Sequence, residues 1–296
     1  MLNLAGLYPP IPTPFDAAGN IAYDKLADNL RTWVTQPLDG IVMPGSNSEA
    51  AFLTRDERIQ VWRVCAETLR ASGKRLIAGT GVETTAETIE LTKIAAELGA
   101  EAALALSPYF YKPAMTHDVL VAHYQAIADA SPIPILIYNV PLFTGVDFTP
   151  ETLITLAKHP QIIGAKDSSA NVVKMTEVLA AQPDFQVLSG SAGALLAFLS
   201  VGSVGGIVAL ANIAAAPLRR VMDSFQAGDL ATARQVQYSL MDINKAITLH
   251  FGVSGLKYAM DRVGLYGGPP RRPLLPLHEA GQTEIDRLLR ASGLIA

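Results

Sequence analysis

The residue best placed to do chemistry is Lys166, which closes the apolar run Pro160-Gln161-Ile162-Ile163-Gly164-Ala165-Lys166-Asp167-Ser168-Ser169. Such a run reads as a buried strand, and an ammonium at its end must reach water or exist partly as the free amine, because burial disfavours the charged form. A free lysine amine attacks carbonyl carbon, which is the chemistry of Schiff-base enzymes. Taken alone, a lysine snorkelling from a strand end fits equally well. Further candidates lie elsewhere in the chain. Tyr138-Asn139-Val140-Pro141 offers a phenol for proton transfer, or only a strand-end ring whose hydroxyl meets water. Gly45-Ser46-Asn47-Ser48 is a hydroxyl-rich turn that could bind an anion or simply cap a helix. Ser189-Gly190-Ser191-Ala192-Gly193 and Gly205-Gly206-Ile207 bring glycines that permit tight turns, with or without a ligand.

The elements that must position these residues alternate. Aliphatic runs at 6–10, 40–43, 75–79, 102–106, 133–138, 162–167, 185–189 and 205–209 read as strands. Amphipathic stretches at 23–33, 54–72, 85–98, 119–130, 149–158 and 171–181 read as helices between them. Cap chemistry marks several helix starts: Thr54 precedes Glu57 by three, and Thr149 precedes Pro150-Glu151. Nearly unbroken apolar strands alternating with helices predict parallel pairing under a helical cover, and eight such units predict a (β/α)8 TIM barrel. An open doubly wound sheet would need a phosphate-binding turn after the first strand. Pro9-Pro10-Ile11-Pro12-Thr13-Pro14 cannot supply it, since prolines lack the amide donor. We therefore expect a catalytic barrel over 1–215 and a helical extension over 216–296, packed on it. Active sites of such barrels lie at the C-terminal strand ends, so Lys166, Tyr138 and the turn at Gly45 are expected to converge there.

Composition narrows the class. Half of the 296 residues are hydrophobic, 17% are charged and the net charge is −4. That balance excludes a disordered chain and argues against nucleic acid or an anionic membrane surface as partner. Cys65 is the only cysteine, which rules out an internal disulfide and a cysteine-based zinc site; its place on a helix face reads as small core residue. His117, His123, His159, His250 and His278 show no metal-ligand spacing, and no metal is expected. Asp167 follows the lysine on a strand and so faces the other side, a structural position. The N-terminal residues show no export pattern, and the glycine-broken stretch 195–213 reads as helix, turn and strand; a cytoplasmic protein is expected.

Taken together, Pro12-Thr13-Pro14-Phe15, Gly45-Ser46-Asn47, Tyr138-Asn139-Val140-Pro141, Lys166 and Arg272-Pro273-Leu274-Leu275-Pro276-Leu277 resemble the dihydrodipicolinate synthase and N-acetylneuraminate lyase family of class I aldolases and lyases. The resemblance implies that Lys166 forms an imine with pyruvate or another 2-oxo acid, and that the imine serves as electron sink without any organic cofactor. It implies that Tyr138 shuttles protons, that Gly45, Ser46 and Asn47 hold the 2-oxo acid carboxylate, and that the Ile207 carbonyl steers bound pyruvate. Glu49 matches the family's acidic turn residue, read as structural. Homotetramers of two tight dimers are usual in the family.

The departures from the family pattern bear on the second substrate. Phe143 stands where dihydrodipicolinate synthases carry an arginine for that substrate's carboxylate, and a phenyl ring cannot make the bidentate contact. Phe110 matches the tyrosine that relays protons from the neighbouring subunit, with Tyr109 or Tyr111 as possible stand-ins. Ser46, Asn47, Ser168 and the Ser189–Gly193 turn bearing Ser191 are most similar to the 4-hydroxy-2-oxoglutarate aldolase branch, which yields pyruvate and glyoxylate. In that branch Ser46, Asn47 and Ser168 line the pocket. The alternatives are lysine-pathway synthesis, a sugar-acid or aromatic aldolase or dehydratase, a non-catalytic pyruvate-binding regulator, and a phosphosugar-binding barrel. Retention of Lys166 and Tyr138 disfavours the regulator, and the lack of basic residues in 189–213 disfavours the phosphosugar.

Overall fold

The protein, described over residues 2–296 as a computed structural model, is a (β/α)8 barrel. Its strands are β1 (Gly6–Tyr8), β2 (Gly40–Met43), β3 (Arg75–Gly79), β4 (Ala102–Leu106), β5 (Ile135–Asn139), β6 (Ile162–Asp167), β7 (Gln186–Ser189) and β8 (Gly205–Ile207). They form one eight-stranded sheet in the order β1-β8-β7-β6-β5-β4-β3-β2. Only Arg75 and Leu106 of all the strand residues escape full burial, so both faces are covered and the sequence shows runs rather than alternation. β5 starts at Ile135 rather than at 133 as expected, since Pro134 has no amide hydrogen to give to a ladder. β8 ends at Ile207, and Ala209–Asn212 coil into a 3-10 turn instead of continuing the strand.

By compactness the chain divides into two units. One comprises the residues up to Gly6 together with Leu76–Ile207; the other comprises Leu7–Arg75 and Val208–Ala296. The boundary expected at 215/216 follows where strands stop, whereas compactness groups the C-terminal helices with Leu7–Arg75.

In the first unit β4, β5, β6 and β7 run parallel beneath helices Thr85–Glu97, His117–Ala130, Pro150–Leu156 and Val172–Ala181. Tyr124, Phe148, Met175 and Phe198 fill the space between strands and helices, and the buried Tyr124 hydroxyl donates to the Ala105 carbonyl at 2.8 Å. β5 and β6 do not pair evenly. Ile135 faces Ile162, but Leu136 faces Gly164, so one residue of β6 is passed over and the register shifts. Gly164 is required here, because a Cβ would collide with the Gln186 backbone carbonyl of β7.

In the second unit the segment after β1 bonds to β2: the Val42 amide donates to Pro9 and the Ile11 amide donates to Val42, at 3.0 and 3.1 Å. The Val208 amide donates to the Tyr8 carbonyl at 3.1 Å. Helix Arg55–Leu69 begins with the expected capping box: the Thr54 side chain accepts from the Glu57 amide, and Glu57 accepts from the Thr54 amide. Two buried indoles join side chains to backbone, Trp33 donating to Asn212 at 3.0 Å and Trp62 to Met43 at 2.8 Å. Cys65 is buried on that same helix, and burial pushes its thiol well up, as befits an inert core residue.

His123, in the first unit, is buried with its Nδ1 on the Thr85 hydroxyl at 2.8 Å. Burial lowers its pKa from 6.5 to about 4, so below pH 6.5 the unfolded chain takes up a proton that the folded chain refuses. Stability should therefore be intact above pH 6.5 and fall as the pH drops toward 4, by about 3 kcal/mol at the limit. Urea unfolding at pH 7 and pH 5 should show this loss, and His123→Leu should shrink the difference between the two curves.

Candidate active site

Strand parity decides which side chains of β5 and β6 can meet. The shifted register sets Tyr138 opposite Lys166 and Asn139 opposite Asp167. Paired residues share a face and successive residues alternate, so Tyr138 and Lys166 go to one side while Asn139 and Asp167 go to the other. The geometry agrees: Lys166 Nζ lies 4.0 Å from the centroid of the Tyr138 ring. Both residues are buried, Lys166 with 3% of its surface exposed. An amine and a phenol so arranged can carry out carbonyl addition and local proton transfer.

On the opposite face the charges are consumed internally. Lys174 Nζ lies 2.6 Å from Asp147 Oδ1 and 3.1 Å from Asp167 Oδ2. Asn139 Nδ2 donates to the same two carboxylates at 2.7 and 2.6 Å. Ser169 donates to Asp167 Oδ1 through its hydroxyl at 2.6 Å and its amide at 3.0 Å. Asp167 is thus structural, as its parity indicated. Sequence reasoning missed Lys174, although a signal existed. It sits in the first turn of helix Val172–Ala181, whose N-cap Asn171 accepts from the Lys174 amide. A cation there opposes the helix dipole and calls for carboxylates nearby.

The loops that follow these strands carry the remaining residues expected in this unit. Ser168 donates its amide to the Asn139 carbonyl at 2.8 Å. Its hydroxyl occupies the space that a Cβ at Gly190 would need, which explains that glycine in Ser189-Gly190-Ser191. Ser191 is half-buried, and its carbonyl accepts from the Ser189 hydroxyl at 2.9 Å. Ile207 is fully buried at the end of β8. Phe110 and Tyr111 stack edge to face with centroids 5.1 Å apart, and both are exposed, Phe110 by 74%. Glu83 fixes their segment by accepting from the amides of Tyr109 and Phe110. Phe143 is 59% exposed on the short helix Pro141–Thr144, with Leu142 exposed beside it. The Lys112 ammonium lies over Gly145, whose φ of +65° ends that helix in the left-handed region.

The turn of the second unit is built independently. After the Met43–Pro44 bond, which is cis, Ser46–Ser48 form one 3-10 turn with Gly45 as N-cap. Gly45 is buried, whereas Ser46 and Asn47 are half-buried. Ser48, the last residue of that turn, bonds internally. It is fully buried, accepts from the Gly45 amide at 2.8 Å and donates to the Ile11 carbonyl at 2.5 Å. Thr13 closes the loop by donating to the Ser48 carbonyl at 2.6 Å. Among the described residues no group of three or more His, Cys, Asp or Glu side chains could hold a metal ion, and no helix is long and apolar enough to cross a membrane.

Residues 3–292 match the model of the dihydrodipicolinate synthetase family. The 4-hydroxy-tetrahydrodipicolinate synthase of Nitratidesulfovibrio vulgaris strain DP4 is 35% identical over 296 residues, covering 99% of this chain and 100% of the relative. That of Rhizobium meliloti strain 1021 is 38% identical over 295 residues, covering 98% and 99%. Among solved structures, the chloride-inhibited dihydrodipicolinate synthase of Acinetobacter baumannii complexed with pyruvate superposes with a TM-score of 0.94 at 32% identity, covering 99% of this chain and 100% of that one.

Lys174 is buried between two carboxylates, and removing one partner of such a group costs about 3–5 kcal/mol. Lys174→Met should therefore lower the thermal midpoint by several degrees in a melt followed by circular dichroism. Lys174→Arg, which keeps the charge, should recover most of it.

Proposed function

The chain belongs to the dihydrodipicolinate synthetase family, and from that premise we propose that it is a pyruvate-dependent aldolase whose preferred cleavage is that of 4-hydroxy-2-oxoglutarate. Enzymes of this family are carbon–carbon lyases that work through a lysine Schiff base, and the chain is one of them. The observation that carries the reading is the pairing of Lys166 with Tyr138 across β5 and β6, amine to ring, at 4.0 Å. In the proposed sequence the Lys166 amine adds to the ketone carbon of the 2-oxo acid, and Tyr138 gives its proton to the departing hydroxyl, so that water leaves and a cationic imine and the Tyr138 phenolate remain. Tyr138 as phenolate takes the proton of the 4-hydroxyl. The C3–C4 bond then breaks, its electron pair passing to the imine to give an enamine while glyoxylate departs. Protonation of the enamine at C3 and hydrolysis release pyruvate and restore the free amine. Gly45, Ser46 and Asn47 supply donors for the 2-oxo acid carboxylate, Ser168 contacts substrate beyond the imine, and the Ile207 carbonyl orients the bound acid.

The acceptor is where readings divide. The names of the relatives support 4-hydroxy-tetrahydrodipicolinate synthesis. Against it stands Phe143, an apolar ring in place of the arginine that would hold the second substrate's carboxylate; loss of such a contact costs about 1.5–3 kcal/mol, or roughly one to two orders of magnitude in affinity. Leu142 and Phe143 together leave that loop apolar and exposed, which also suits an aromatic or uncharged aldehyde. A homotetramer and a cytoplasmic location complete the proposal by analogy with the family.

Borohydride reduction in the presence of pyruvate should add one reduced pyruvate to the protein, on the peptide carrying Lys166, and Lys166→Ala should abolish the adduct. Tyr138→Phe should still form adduct but turn over about 10²–10⁴-fold more slowly. Glyoxylate should outcompete the aldehyde of 4-hydroxy-tetrahydrodipicolinate synthesis as acceptor; the opposite order would replace the aldolase reading with the synthase one.

A further inference from the structure

The turn that carries Gly45, Ser46 and Asn47 ends in a residue with unusual backbone and unusual surroundings. Glu49 has φ +57°, in the left-handed region that a residue with a side chain seldom adopts. Its carboxylate is buried against the ammonium of Lys257, 2.7 Å away, with 1% of either side chain exposed. Lys257 belongs to helix Gly252–Arg262, and it also donates to the Pro269 carbonyl at 2.9 Å. The second carboxylate oxygen of Glu49 accepts from the Arg271 amide at 2.7 Å. The Arg271 guanidinium then reaches both oxygens of Glu57, at 2.6 and 2.8 Å, which is the capping residue of helix Arg55–Leu69. Both cations lie over the Phe15 ring, Lys257 Nζ 4.5 Å and Arg271 Cζ 4.3 Å from its centroid.

A dry ion pair is a poor way to gain stability, because desolvating both ions offsets most of their attraction. What it does well is fix geometry, since neither ion tolerates a displaced partner. Here the cation is contributed by helix Gly252–Arg262, and the anion it fixes is the residue immediately following Ser46–Ser48. We propose that Lys257, through Glu49, is a positioning residue for the carboxylate-binding turn, so that the C-terminal helices set affinity for the 2-oxo acid without touching it. This rests on the reading that Gly45, Ser46 and Asn47 bind the carboxylate. Glu49 occupies a strained conformation that the pair with Lys257 and the Arg271 amide hold in place. Without them the residue relaxes, and the amides and hydroxyls of the turn lose their common aim.

The test is adduct formation with borohydride as a function of pyruvate concentration, in wild type, Lys257→Met, Glu49→Gln and Lys257→Arg, with a melt for each. Half-saturating pyruvate should rise tenfold or more in Lys257→Met and Glu49→Gln, while the trapping rate at saturation stays within threefold of wild type. Lys257→Arg should recover part of the affinity. Pyruvamide, a ketone lacking the carboxylate, should show the same half-saturation in all four proteins. Unchanged half-saturation for pyruvate in the folded variants, with only a lower melting point, would overturn the proposal. So would an equal loss with pyruvamide. Should Lys257→Met not fold, Glu49→Gln preserves the side-chain volume and decides alone. Absence of any adduct in wild type would instead remove the Schiff-base reading itself.

Discussion

The passed-over residue between β5 and β6 is the constraint on which the pairing of Lys166 with Tyr138 rests. In an unbroken ladder from Ile135 opposite Ile162, Tyr138 would face Ala165 and Lys166 would face Asn139. Because the register shifts at Ile135/Leu136, Tyr138 faces Lys166 instead, and the two side chains share a face. One residue of slippage thus separates an amine set against a phenol from an amine set against an amide. Gly164 enters the ladder at that shift, where the neighbouring β7 carbonyl leaves no room for a Cβ.

The same parity sends Asn139 and Asp167 outward, and there they anchor the strand ends. Asp167 meets Lys174 and Asn139, and Asn139 meets Asp147, so the residue after each reactive one is tied into a single polar cluster. The reactive residues need defined positions, and strand ends that feed loops are where backbone position is least defined. A buried, fully bonded cluster one residue away corrects that weakness. In the second unit Glu49 stands in the equivalent relation to Gly45–Ser48, one step beyond the turn and held by Lys257.

The fold was legible because its signal is redundant. Eight apolar runs separated by capped amphipathic segments specify a (β/α)8 barrel even when individual ends are misplaced by a residue or two, as at Pro134 and Ala209. Lys166 and Tyr138 stood out at strand ends, but each alone allowed a structural reading, and only the family resemblance assigned them roles; the structure sets them opposite one another on β6 and β5. The polar clusters were not legible. Lys257 looks like an ordinary lysine of an amphipathic helix, with its partner Glu49 208 positions away. Lys174 stands out only by opposing its helix dipole, and that does not name Asp147, 27 positions back, as a partner. The register shift was equally hidden, since nothing in Pro160–Lys166 distinguishes a residue that pairs from one that is passed over. Ser48 belongs to the hydroxyl-rich turn that begins at Gly45, and its bonds, accepted from Gly45 and donated to Ile11 far back in the chain, were hidden as well.

Division of labour between strands and loops explains why close structural agreement leaves the acceptor open. The Lys166–Tyr138 pair is set by strand register, and the turn at Gly45–Ser48 is held from behind by the Glu49–Lys257 pair. Phe110, Tyr111, Leu142 and Phe143, to which the proposal assigns the choice of acceptor, are by contrast exposed on segments beyond β4 and β5. Substitution at such exposed positions costs the fold little. Agreement over the whole length with a pyruvate-bound synthase thus carries weight for the first half of the reaction. For the second half the proposal rests on Phe143, a phenyl ring that offers no bidentate contact to a carboxylate.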